Sequence, residues 1–328
     1  MYQYQVTLVI AEYNTDFGKI SRSVASALLQ KNICLQIIVT DDGSQEDHFE
    51  QLSDLFEDKY FEDYIFVKSE KNIGTVNIIY KAIQQAKGKY LYCLGAGDYL
   101  YDENVLHDLY KHMEENKLDA CMGRVVCYNM VSDIMSLVSV PNWPRNMKIY
   151  YTGNTILQRI NYLELDDNAF GIALASRMNK AKKYFGLIKG KARFAEDMIY
   201  RVMLFDNCPF GFFDRILCWY EHGTGISTKG SKKWDEIIAK DWHRVDEVIL
   251  NMHPKDWVAR RYQRLLRRKK KYHYKKHPLT LWLYPEMYFL RRQARKTREN
   301  TTTDVDLDFY YKITREVSGD IARRQHGL

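Results

Sequence analysis

Across the first 130 residues, short β-branched runs alternate with stretches of helical spacing. That alternation commits the chain to a mostly parallel sheet with crossover helices. Strands are expected at Val6–Ile10, Leu35–Thr40, Tyr64–Lys68, Tyr90–Leu94 and Ala120–Tyr128. Helices are expected at Ser21–Gln30, Asp47–Asp58, Thr75–Ala86 and Glu103–Asn116, with Lys87-Gly88 closing the third as a C-cap. Acids follow two of the strands directly: Asp41 and Asp42 in Asp-Asp-Gly-Ser, and Asp98 in Gly-Ala-Gly-Asp. Ligands of open α/β sheets bind outside the carboxyl ends of the strands, so both acidic turns belong to one rim. Asp-Gly and Gly-Asp are also ordinary turn residues, and either turn alone would carry no more than that.

Residues 130–235 are mixed, without repeats or low-complexity linkers, and the pattern turns helical and basic from about Trp234. The formal charge of +7 is unevenly placed. Lys255 to Arg298 holds 16 Lys and Arg against Asp256 and Glu286, which leaves the remainder acidic. The six cysteines show neither paired nor metal-ligand spacing, as expected for a reducing compartment. No basic leader with a cleavage site opens the chain, and no apolar run reaches the roughly 18 residues of a membrane span. A cytoplasmic protein, or one peripheral to a membrane, is the expectation.

Four blocks in order resemble the inverting family-2 glycosyltransferases. They are Tyr13-Asn14 at the end of the first strand, SVASALLQ, QIIVTDDGSQED, and EKNIGTVNIIYKAIQQAKGKYLYCLGAGDYL. The resemblance implies a GT-A, Rossmann-like α/β fold over residues 1–230, with a nucleotide-binding half (1–130) and an acceptor and catalytic half (131–230). A basic helical region, 231–328, follows. It further implies that Asp42 accepts from the base of a nucleotide, with Asp41 supporting the turn and Tyr13 stacking on the base. Ala11, Glu12, Asn72 and Gly74 line the same nucleotide-sugar site. The family's acid-bearing loop holds Mn²⁺ or Mg²⁺ on a D-x-D-D-like run. Here Gly95 and Gly97 replace two of its acids, leaving Asp98 as the candidate metal ligand, with the backbone N–H groups of the loop as a further means of approaching phosphate.

Glu196-Asp197 is similar to the family's Glu-Asp motif, which makes Asp197 the candidate base and Glu196 its orienting partner. An acid pair at a helix N-terminus is also what the macrodipole favours. Trp219 to Ser227 (WYEHGTGIS) resembles the family's flexible loop, with His222 as a second candidate for metal or diphosphate. In the tail, basic residues abut Trp282, Tyr284, Tyr288 and Phe289, and Pro278 and Pro285 divide it into short helices. Such a segment suits an anionic bilayer. A solvated face or a homo-oligomer contact is the alternative, and nucleic acid is not expected.

The function so implied is transfer of a sugar from a nucleoside diphosphate donor, UDP-sugar foremost, to a hydroxyl of a glycan or lipid-linked acceptor. Bacterial surface polysaccharide is the context. The alternative is a catalytically silent binding or scaffold subunit, suggested by Gly95 and Gly97. A nucleotidyltransferase would want a glycine-rich phosphate loop that residues 11–19 do not offer. Asp166-Asp167 is expected to be a solvated turn.

Overall fold

A computed structural model describes residues 2–131, 134–225, 231–271 and 282–325. Among these, nine strands form one sheet. They are β1 (Tyr4–Glu12), β2 (Leu35–Asp41), β3 (Tyr64–Lys68), β4 (Gly88–Gly95), β5 (Tyr99–Leu100), β6 (Ala120–Val131), β7 (Ile134–Val138), β8 (Leu174–Arg177) and β9 (Phe210–Glu221). The order is β3-β2-β1-β4-β8-β6-β9-β5, with β7 beside β6. Strands β3, β2, β1 and β4 run parallel, as do β6 and β9. The short β8 is antiparallel to both β4 and β6, and it welds the two parallel halves together.

Side chains of the central strands alternate between two cores. Leu8, Ile10, Ile37 and Val39 face α1 (Phe17–Leu28), α2 (Phe49–Asp58) and α4 (Val105–Glu115). Val9, Ile38 and Val67 face α3 (Thr75–Ile83) and α6 (Met178–Ile188). Both faces are covered, which is why these strands are continuous apolar runs rather than alternating ones. The second core also takes in α5 (Thr155–Leu165), α7 (Ile199–Phe205), α8 (Lys232–Met252) and α9 (Trp257–Lys271). A third, smaller cluster seats α11 (Asp308–Gln325) on α1: Phe309, Tyr310, Ile313 and Val317 meet Ala25, Tyr99, Tyr128 and Trp219. The helix between, α10 (Pro285–Lys296), has its proline in the first turn, where a missing N–H costs nothing.

The expected elements are present with shifted ends. β1 reaches Glu12 because the ladder to β2 continues through Ala11↔Thr40 and Glu12↔Asp41. α1 begins at Phe17 rather than Ser21, and α3 stops at Ile83, so Gly88 opens β4 instead of capping a helix. Asp166-Asp167 is not a solvated turn. Asp166 is left-handed at the end of α5, while Asp167 is 3% exposed and accepts from the N–H groups of Arg145 and Asn146 and from Asn161. A carboxylate with three donors inside a protein is a loop anchor. Ile226, Ser227 and the tail segment 272–281, including Pro278, lie outside the described residues.

Candidate functional site

At the carboxyl edge of β1, Asn14 adopts φ 49 and turns the chain so that Tyr13 is half exposed. The Asn14 N–H donates to Ser44 Oγ (2.8 Å), and its side-chain oxygen accepts from the Gln45 N–H (3.1 Å). The Tyr-Asn exit loop and the Asp-Asp-Gly-Ser turn are therefore one hydrogen-bonded unit. Within it, Asp41 Oδ1 accepts from the Ser44 N–H, while its Oδ2 is buried without a partner. Glu12, paired to Asp41 in the ladder, is 4% exposed and has neither oxygen bonded. Burial, helped by the Asp41 charge, pushes Glu12 up to about 8.

Asp42 reaches across to the Asn-Ile-Gly segment, where its two oxygens accept from the Ile73 and Gly74 N–H groups at 2.8 Å each. A carboxylate offers about four lone-pair sites, so two backbone donors leave it capacity for a third. Burial raises its pKa, and those two donors with the Arg193 charge act the other way.

Arg193 gave no signal in the sequence, yet it joins this rim to the acid pair. Its guanidinium donates to both the carbonyl and the side-chain oxygen of Asn72 (2.8 Å), and its carbonyl accepts from the Val76 N–H. Gly74, at φ 90, has to be glycine for two reasons: the left-handed backbone, and an Arg193 Cγ that would lie 2.2 Å from any Cβ. Three residues beyond Arg193, Glu196 and Asp197 form a 3₁₀ turn that leads into α7. Burial raises both carboxyls. The Asp197 charge adds to the rise of Glu196, and Arg201 opposes that of Asp197. Asp197 also abuts Gly171, where a Cβ would stand 3.2 Å from its own.

The acid pair is held from the far end of the chain. Asp241 of α8, 2% exposed, accepts from the N–H groups of both Arg193 (2.8 Å) and Phe194 (2.7 Å). Arg201 of α7 is fully buried and donates to Tyr262 Oη (2.6 Å) of α9, which in turn donates to Asp246 (2.9 Å) of α8.

The loop after β4 is closed on itself. Ala96, Gly97 and Asp98 donate their N–H groups to the Ala11 carbonyl, Ser23 Oγ and the Gly95 carbonyl, and Tyr128 Oη donates to the Gly97 carbonyl. The expected approach of these N–H groups to phosphate is thereby overturned, because all three are spent inside the protein. Asp98 Oδ1 accepts from the Glu221 N–H (3.0 Å). Burial, with the Glu221 charge, pushes Asp98 up to about 8 against the pull of that N–H and of Lys19. Lys19 of α1 donates to both oxygens of Glu221, at 2.7 and 2.8 Å.

A divalent cation needs several oxygen donors gathered around it. Asp98 supplies one carboxyl, and the neighbouring Glu221 carboxylate is taken by Lys19. His222 is held by its backbone, which donates to the Tyr128 carbonyl, and its ring lies 6.4 Å from that of Tyr220. Among the described residues no three His, Cys, Asp or Glu side chains gather closely enough to hold a metal ion. Without phosphate oxygens from a bound donor, the described side chains here offer a divalent cation one carboxyl, that of Asp98.

Residues 7–181, more than half of the chain, match the sequence model of "Glycosyl transferase family 2". No curated protein matches the chain. Among solved structures, S. aureus TarS 1-349 superimposes with a TM-score of 0.52 at 17% identity, covering 75% of this chain and 66% of that one. A longer S. aureus TarS chain gives 0.53 at 15% identity, over 84% and 44%. TarS 1-349 in complex with UDP gives 0.53 at 14% identity, over 99% and 92%. The chain thus spans less than two thirds of the first two, and at these identities the likeness is one of fold.

Proposed function

The chain belongs to glycosyl transferase family 2, and from that premise we propose that it moves a sugar from a nucleoside diphosphate donor to an acceptor hydroxyl with inversion. The observation that carries this reading is the continuous linkage from Asp42 through Asn72 and Gly74 to Arg193, three residues before Glu196 and four before Asp197. It ties a strand-end nucleotide rim to a half-buried acid pair, the two parts that such a transfer needs. Tyr13 stacks on the base, Asp42 accepts its N–H, and Glu12, Asp41 and Ala11 close the pocket around it. UDP is the favoured carrier, since a structure of similar fold is described as a UDP complex.

Asp197 takes the proton of the acceptor hydroxyl as its oxygen attacks C1. The bond from C1 to the diphosphate oxygen breaks, and the electron pair leaves with the nucleoside diphosphate. A carboxyl raised by burial is a stronger base than an exposed one, which suits that task near neutral pH. Glu196 repels a second charge beside it and sets the acceptor's orientation.

The acceptor is a glycan or lipid-linked glycan, met at an anionic membrane surface through residues 255–298. That part of the reading is supported by the basic α9 beside the exposed Trp282 (79%) and Phe289 (65%). No helix among the described residues is long and apolar enough to cross a membrane.

The test is a panel of nucleoside diphosphate sugars, with nucleoside diphosphate release as the readout and Asp197→Asn as control. Release that depends on Asp197 supports the transferase. Silence with every donor, together with no nucleotide binding, favours the scaffold subunit instead.

A further inference from the structure

The fourth strand ends where the family places acids, and here two of those positions are glycine. Their space is not left open. A Cβ on Gly97 would lie 3.0 Å from Glu221 Oε2 and 3.6 Å from Lys19 Cδ, so the Lys19–Glu221 pair fills the room that a side chain at 97 would enter. Gly97 also has φ 106, which any other residue would resist. Glycine at this position therefore makes way for the Glu221 carboxylate and for the stem of the lysine that it holds.

Four further observations point the same way. Lys19 lies in the first turn of α1, where a positive charge opposes the macrodipole; the helix-start acid is Asp16 at the N-cap, and the turn itself holds none. Such a placement is kept when something else holds it. Ser23, one turn on along the same face of α1, grips the Gly97 N–H, so Lys19 is aimed at the loop by a helix that is fastened to it. The ammonium has three protons, and Glu221 takes two. The side chain is one-third exposed, which leaves the third proton facing outward from an otherwise buried partner. Finally, the loop's own N–H groups are all spent, so a diphosphate arriving there has no other described donor on this loop to meet it.

We infer that Lys19 is the built-in cation of this site, and that its ammonium rather than a divalent metal ion meets the donor's diphosphate. The inference rests on the donor-site reading above. As the bond from C1 to the phosphate oxygen breaks, the charge that gathers on that oxygen is met by the free proton of Lys19, which stays on nitrogen. Glu221 is a positioning residue: it fixes the ammonium and touches no phosphate. With the Glu221 carboxylate held by Lys19, the protein offers a divalent ion only the Asp98 carboxyl, whereas a lysine needs no metal to bind phosphate.

The experiment is calorimetry of the full chain with UDP and with uridine, each in EDTA and in Mn²⁺. The parent is expected to bind UDP with affinities that agree within about threefold in the two buffers. Lys19→Met should weaken UDP by about tenfold or more while uridine stays within about twofold, and Lys19→Arg should recover part of the loss. Glu221→Gln should weaken UDP by a smaller factor, again sparing uridine, a split that general damage to the fold would not produce. A tenfold loss of UDP affinity in EDTA would overturn the inference. So would a Lys19→Met protein that binds UDP as the parent does. Failure of the parent to bind UDP in either buffer would remove the donor-site reading, and the inference would go with it.

Discussion

The rim at β1 and β2 and the acid pair before α7 are built in opposite ways. The rim is wired through backbone N–H groups to side chains close at hand in the sheet: Asn14 to Ser44 and Gln45, Asp41 to Ser44, Asp42 to Ile73 and Gly74. The acid pair holds ionisable groups in a half-buried setting and is steadied from α8 and α9, by Asp241, Asp246 and Tyr262. One part is preorganised by local turns. The other is only as well placed as the packing of distant helices. Binding and chemistry should therefore fail separately, and mutations can test how separate they are.

The largest expected effect is on chemistry alone. Asp197→Asn should lower kcat by about 10²–10⁴-fold, the usual worth of a positioned base, with UDP affinity within about twofold in calorimetry. Equal loss of both would merge the two regions. The next effect tests the remote support. Asp241→Ala removes the buried acceptor of two partly buried N–H groups and should destabilise the fold by about 1–3 kcal/mol, read from denaturant unfolding. It should also lower kcat by more than it weakens UDP. Asp42→Ala is the mirror experiment: UDP affinity should fall by about tenfold, while kcat at saturating donor stays mostly intact.

The pH profile should divide the regions as well. As the proposed base, Asp197 must be ionised to accept a proton, and burial raises it above the ordinary carboxylate range. The acid limb of kcat should lie at higher pH than an exposed aspartate would give, and UDP binding should not follow it. The smallest effect belongs to Glu12. Its pKa is about 8 when folded and near 4.5 when unfolded, so between those values the folded state holds a proton that the unfolded state releases. Stability should therefore fall as pH rises through that window, and Glu12→Gln should flatten the slope in thermal unfolding.

The contrast also accounts for what the sequence disclosed. The strands from β1 to β4 are long apolar runs in a parallel sheet, each followed by a helix of clear period, so pattern alone finds them. Strand β8 has four residues and β5 has two, too short for any period to appear. Among site residues, Asp42, Asp98 and Asp197 stand in turns or at a helix start, where an acid is conspicuous. Arg193, Asp241 and Asp246 look like solvated charges in sequence, because only the tertiary fold supplies their partners. Asp167 misled for the same reason: in a chain, a buried anchor and a wet turn are spelled alike. Lys19 carried no signal either: with the helix expected from Ser21 it stood ahead of it, and only the fold places it in the first turn of α1.

The seating of α11 on α1 sets an order on biosynthesis. Domains fold as units while the chain emerges, amino-terminal parts first. Helix α1 leaves the ribosome well before α11 and cannot complete its packing until Phe309, Tyr310, Ile313 and Val317 have been made. In the interval one flank of that helix, with Tyr128 and Trp219 behind it, stays without its apolar cover. The interval before α11 arrives is the one in which a chaperone would find the most to hold.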